Sequence, residues 1–173
     1  MRRIISLGGN MQEAQIGWHQ EAAVRPIVSI ITVFHNRAEH VEASIASLLA
    51  QRGVDYEIVA LDDGSTDDTL ACLQAISNPR LTVVAQANTG FTAAINTAIA
   101  HSRGRYIAIH GAGDISLPNR IARQAAILEA RPEVGVIGCH VSNDAKLGSD
   151  RYVIRPPDGL PFFETLLGRN LFT

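Results

Sequence analysis

The 173-residue chain is long enough to bury a sizeable core and short enough to be read as one domain. With 46% apolar residues, 18% charged residues and a formal net charge of -2, it is neither a disordered chain nor a basic nucleic-acid binder. The two cysteines, Cys72 and Cys139, have no Cys-x-x-Cys spacing, which argues against a zinc or disulfide framework and makes a reduced, cytoplasmic setting the expectation.

Residues 1–25 carry no strong periodicity and read as an N-terminal extension, with an apolar run too short for a signal peptide. No stretch approaches the roughly 20 apolar residues of a membrane-spanning helix, so the expected membrane contact is at most peripheral. From Pro26 onward the pattern becomes regular, and residues 26–173 are read as one unit. "IVSIITVF" (27–34) is a continuous apolar, β-branched run, as expected of a strand buried on both faces. Val41, Ile45, Leu48 and Leu49 then recur on one helical face, and Gly53 ends that helix.

"YEIVALDD" (56–63) predicts a second strand closing on two acids, after which Ser65 and Asp68 have the spacing of a capping box for a helix carrying Leu70, Leu73 and Ile76. "LTVVAQ" (81–86) predicts a third strand, and the turn "ANTG" leads to a helix through Ala94, Ile95, Ala98 and Ile99. "RYIAIH" (105–110) predicts a fourth strand. Pro118 suits the first turn of the next helix, with Ile121, Ala125 and Leu128 on its face. "VGVIGCHV" (134–141) predicts a fifth strand.

Strands alternating with helices imply crossover units, a mostly parallel sheet and helices on both faces. Ligands of such sheets bind at the carboxyl ends of the strands. The residues just past those ends are polar or glycine: Phe34-His35-Asn36, Asp62 to Ser65, Asn88-Thr89-Gly90, and His110 to Asp114.

Each group has two uses. Asp62 and Asp63 can accept from a nucleobase N–H or ribose hydroxyls, or can satisfy loop amides and cap a helix. Adjacent strand residues point to opposite faces, so at most one of them faces the crevice. Gly111 and Gly113 allow a backbone to approach a diphosphate, or simply make a turn closed by Asp114. Gly90 can open a helix toward an anion or serve as ordinary capping. Lys146 is the only lysine, which rules out a Gly-x-x-x-x-Gly-Lys phosphate loop.

The order "VSIITVFHN…YEIVALDDGSTDDT…NTGFTAAINTAI…RGRYIAIHGAGDISLPNRI" resembles the family 2 inverting glycosyltransferases of the GT-A fold, over roughly residues 27–140. The resemblance implies a Rossmann-like α/β three-layer sandwich with a mostly parallel central sheet. It implies transfer of a sugar from a UDP- or GDP-linked donor to a saccharide or lipid-linked acceptor, with inversion, commonly with Mg²⁺ or Mn²⁺, at the cytoplasmic side and in places against the membrane.

Carried over by position, the nucleobase cradle falls on Val33 and His35, and the acids for base and ribose on Asp62 and Asp63. The helix start beside the nucleotide falls at Gly90, a frequent asparagine at Asn96, and the metal motif at Gly111 to Asp114. Family members read Asp-x-Asp-Asp at this motif, whereas this chain reads Gly111-Ala112-Gly113-Asp114. Two routes to neutralising the diphosphate stay open: Asp114 as the carboxylate ligand of a cation, with His110 a secondary candidate for Mn²⁺, or glycine amides and an arginine without metal. The resemblance places acceptor recognition and the general base beyond residue 173, so no catalytic residue is assigned and the chain is expected to be a fragment. The alternative reading is a nucleotide-sugar-binding module without transfer activity.

Overall fold

The computed structural model describes residues 25–139 together with the short strands at 141–143 and 152–154. Eight elements alternate: β1 (Val28–Phe34), α1 (Ala38–Leu49), β2 (Tyr56–Asp63), α2 (Thr69–Ala75), β3 (Leu81–Gln86), α3 (Phe91–Ala100), β4 (Tyr106–Gly111) and α4 (Arg120–Ala130). The four strands form one parallel sheet in the order β3-β2-β1-β4. This is the α/β, Rossmann-like layering expected of a GT-A domain.

Every residue of β1 and β2 is buried, which is why these two strands read as unbroken apolar runs. On one face Ile30, Phe34, Ile58 and Ala60 pack against Val41, Ile45 and Leu48 of α1, Leu73 of α2, and Ile121 and Ala125 of α4. On the other face Ile31, Val33, Val59 and Leu61 pack against Ala94 and Ala98 of α3. Helices on both faces therefore sandwich the two central strands.

The register aligns the strand ends that matter. Phe34 lies beside Asp62, Val33 beside Gly111, and Asp63 beside Gln86. The chain leaves β1 toward β2 and β3, then crosses back to place β4 on the opposite side of β1. That reversal is the topological switch point, where an open parallel sheet leaves a crevice at the carboxyl ends of its strands.

Two local expectations are corrected. The predicted strand at 134–141 does not form: residues 134–139 have no strand pairing, and β5 (Val141–Asn143) pairs antiparallel with β6 (Tyr152–Ile154) in a separate two-stranded sheet. An apolar run specifies no partner strand, and Gly135 and Gly138 interrupt this one. The capping box is absent as well, because α2 begins at Thr69 with no side-chain cap from Asp68. Ser65 Oγ instead accepts from the Asn36 amide at 2.9 Å, and Asn36 Oδ1 accepts from the Thr66 amide at 2.7 Å. Asp67 does the capping: its carboxylate accepts from the amides of Thr69 at 3.0 Å and Ala38 at 3.2 Å, and so ties the starts of α1 and α2 together.

Candidate nucleotide-binding site

At the switch point a cavity of about 380 Å³ opens, lined by Val33, His35 and Arg37 after β1, Asp63 of β2, Asn88, Gly90 and Phe91 between β3 and α3, and Ala112 after β4. Each contribution follows from the sheet. Val33, Asp63 and Gly111 share the α3 side of the sheet by register, and the loops after β1, β3 and β4 close around them.

Asp63, 3% exposed, is the most heavily bonded group of the site. Its Oδ1 accepts from Gln86 Nε2 at 2.7 Å, the Thr89 amide at 3.0 Å and Thr89 Oγ1 at 3.3 Å, and its Oδ2 accepts from the Gly90 amide at 3.0 Å. Burial would raise its pKa, but these hydrogen bonds outweigh it and hold the carboxyl below its ordinary 3.8. A carboxylate has about four acceptor sites, and Oδ2 has a single protein donor among the described residues.

Gly90 presents its amide to Asp63 only by adopting φ 85° and ψ 157°, a region essentially confined to glycine. His35 Nδ1 lies 2.9 Å from the Asp63 main-chain oxygen, which can only accept, so the neutral ring carries its proton there. The Asn88 side-chain amide nitrogen lies 3.2 Å from Nδ1 and 3.3 Å from Nε2, and with Nδ1 protonated it is Nε2 that can accept from it. Phe91 opens α3 at the cavity edge with 65% of its surface exposed.

Asp62 belongs to the opposite side of the sheet, as alternation along the strand requires. It is not part of the cavity lining: Oδ2 accepts from the Ser65 amide at 3.2 Å and shapes the 62–65 turn, while the buried Oδ1 has no partner. Asn96 is exposed on α3, also outside the lining. His110, 6% exposed, points with Thr32 away from the cavity; its Nε2 donates to the Asp114 carbonyl at 3.0 Å and lies 3.3 Å from Ser44 Oγ. Burial, helped by the Arg120 charge, pushes its pKa below 6.5 and favours the neutral ring.

The Gly111–Asp114 turn is closed by the Asp114 amide donating to the Gly111 carbonyl at 3.0 Å. Gly113 sits against His40: a Cβ there would lie 3.3 Å from the imidazole Cγ. Gln51, buried in the link after α1, holds the segment that follows. Its amide donates to Ser116 Oγ at 3.1 Å and the Leu117 carbonyl at 2.9 Å, and its oxygen accepts from the Ile121 amide at 3.2 Å.

A hard divalent cation takes six or more oxygen ligands. The turn offers one carboxylate, that of Asp114, and the nearby imidazole nitrogen of His110 is committed to a carbonyl. Among the described residues no group of three or more His, Cys, Asp or Glu side chains converges on a point. The described residues alone are a poor match to a cation held by the protein, since most of its ligands would have to come from the diphosphate and water.

Reading the sequence alone brings Val33, His35, Asp63 and Gly90 to the site but misses Arg37, Phe91 and the supporting Gln86 and Gln51. Arg37 stands one residue past the polar end of β1, and Phe91 is an aromatic at a helix start. Neither signal is legible until the loops are known to meet.

Fold and crevice define a parallel α/β domain of the kind that binds nucleotides at its switch point. Its sequence matches the profile of Glycosyl transferase family 2 over residues 29–172, and the chain belongs to that family. An uncharacterized glycosyltransferase of Haemophilus influenzae is 31% identical over 119 residues, covering 67% of this chain and 37% of that protein. The succinoglycan biosynthesis protein ExoO of Rhizobium meliloti is 38% identical over 99 residues, 57% of this chain and 28% of ExoO. Among solved structures, the mannosyltransferase PcManGT of Pyrobaculum calidifontis, in complex with GDP-Man and Mn²⁺, superposes with a TM-score of 0.58 and 30% identity over 68% of this chain and 36% of that one. The chain thus spans about a third of the length of these two curated relatives (37% and 28%). Among the described residues no helix is long and apolar enough to cross a membrane.

Proposed function

We propose that residues 26–173 form the donor-binding part of a glycosyltransferase that moves a sugar from a UDP- or GDP-linked donor to a saccharide or lipid-linked acceptor, with inversion at the anomeric carbon. The observation that carries the proposal is the cavity itself: an apolar floor and an aromatic edge beside a buried carboxylate, at the switch point of a parallel sheet. In this reading Val33, His35 and Phe91 pack against the faces of a nucleobase, and Asp63 Oδ2 accepts its N–H. The main chain of Gly111 to Asp114 lies under the diphosphate. Asp62 acts from behind, by fixing the 62–65 turn, and Asn96 has no role at the cavity.

The 30%-identical mannosyltransferase, solved with GDP-Man, supports the nucleotide-sugar class. Its Mn²⁺ belongs to that protein, and no step here is assigned to a metal. An inverting transfer also needs a base to deprotonate the acceptor hydroxyl, and none is assigned among the described residues. A cytoplasmic setting, with contact at a membrane surface where the acceptor is lipid-linked, belongs to the same proposal. Glycine at 111 and 113 favours a second reading, a nucleotide-sugar-binding module without transfer.

Calorimetric titration of the chain with UDP, GDP and their sugars tests the donor site. Binding that weakens by about tenfold or more in Phe91→Ala is the expected result, the loss being that of one stacked base. If no nucleotide binds under any condition, the donor-site reading fails. Detection of sugar transfer from a UDP- or GDP-linked donor separates the enzyme from the module.

A further inference from the structure

We propose that Arg37 carries the positive charge of this donor site, so that the chain binds a nucleotide diphosphate without a divalent cation. The inference rests on the donor-site reading above and concerns its electrostatics.

The 111–114 turn presents a single carboxylate, that of Asp114. A Cβ placed on Gly111 would come within 2.5 Å of Asp114 Oδ2. The Asp114 carboxylate therefore occupies the room that a side chain at 111 would need, and glycine there is what lets it do so. His110, on the far side of the sheet, has its Nε2 bonded to the Asp114 carbonyl. One exposed carboxylate leaves a dication short of protein ligands, and without a cation it would repel a diphosphate.

Arg37 meets the opposite requirement. It lines the same cavity as Asp63 and as Ala112 of the turn. Its main chain is fixed at the opening of α1: its amide donates to Thr69 Oγ1 at 2.8 Å, and its carbonyl accepts from the His40 amide at 3.0 Å. The ion pairs of the described residues engage His40, Arg103, Arg105 and Arg131, and Arg37 enters none of them. The one cavity carboxylate, Asp63, is already bonded to Gln86, Thr89 and Gly90. A guanidinium on an anchored backbone, with no ion-pair partner among the described residues, is suited to bidentate contact with phosphate oxygens. An exposed arginine is ordinarily just solvated; the cavity position and the metal-poor turn are what distinguish this one.

The test is calorimetric titration of the 173-residue chain and of Arg37→Gln and Arg37→Lys with UDP and GDP, each in Mn²⁺ and in EDTA. Circular dichroism checks that the variants remain folded. The expected result is that EDTA changes the wild-type affinity by less than about tenfold, while Arg37→Gln weakens it by about tenfold or more, the scale of a charge-assisted hydrogen bond. Arg37→Lys, which keeps the charge but loses the fork, should fall between the two. Binding that needs Mn²⁺ by more than about tenfold, or an Arg37→Gln protein that binds like the wild type, overturns this inference and leaves the donor site standing. Silence of both nucleotides with and without Mn²⁺ removes the donor site and this inference with it.

Discussion

Asp63 illustrates how one side chain can be both structural and functional. Its carboxylate gathers the start of α3 and the end of β3, so Asp63→Asn should cost about 1–3 kcal/mol of stability, read as a lower urea midpoint. The pH dependence has a definite sign. Its native pKa lies below 3.8, so its contribution is complete above that value and is lost as pH falls through the lowered native pKa. Acid unfolding of Asp63→Asn should accordingly be less steep below pH 3.8 than that of the wild type. Gly90 is the partner of this arrangement. A Cβ on it meets nothing within 4 Å, so Gly90→Ala isolates backbone strain, with an expected cost of about 1–3 kcal/mol and weaker nucleotide binding. A Gly90→Ala protein with unchanged stability would show that the backbone can relax there without strain. The sequence pointed to Asp63 and Gly90 separately, as strand end and helix start, but did not show that one bonds the other. Twenty-seven residues separate them, and local pattern carries no information at that range.

Between elements, the least expected device is the buried Glu57. Its carboxylate accepts from Ser29 Oγ at 2.7 Å, from the Arg103 amide and from the Arg103 guanidinium, and so fixes the link between α3 and β4 to the amino ends of β1 and β2. Burial would raise its pKa, yet the hydrogen bonds from Ser29 and Arg103 hold it below 4.5. The clamp is thus intact above pH 4.5 and released as pH falls through the lowered native value. Glu57→Gln should lower stability by about 1–3 kcal/mol at neutral pH and remove that part of the acid dependence, both measurable by denaturant titration across pH. The same link is why position 104 accepts only glycine: a Cβ would lie 2.4 Å from the Ser29 nitrogen. Nothing in "HSRGR" announces this, because the crowding comes from a strand 75 residues away. By contrast β1, β2 and the faces of α1 and α3 were legible in advance, since periodicity and unbroken apolar runs are local consequences of burial.

At the scale of the whole sheet, β3 and β4 are the end strands among the described residues. On β4, Ile107 is 40% and Ile109 57% exposed. An apolar end strand is a template for pairing with other chains. Ile109→Lys should therefore reduce concentration-dependent association in sedimentation velocity while leaving the fold intact, and an unchanged profile would mean that association, if present, uses another surface. The sequence by itself determined the alternation of strands and helices, the parallel sheet that follows from it, the polar residues at the strand ends, and the family. These are properties of short segments and of their order. Only the tertiary structure decided that Asp63 faces the cavity while Asp62 lies behind it, that Arg37 and Phe91 join it, and that the run at 134–139 pairs with nothing. Those outcomes depend on register and on loops meeting from opposite sides of β1, and hydrophobic pattern cannot encode either, because it records how deeply a residue is buried and not against what.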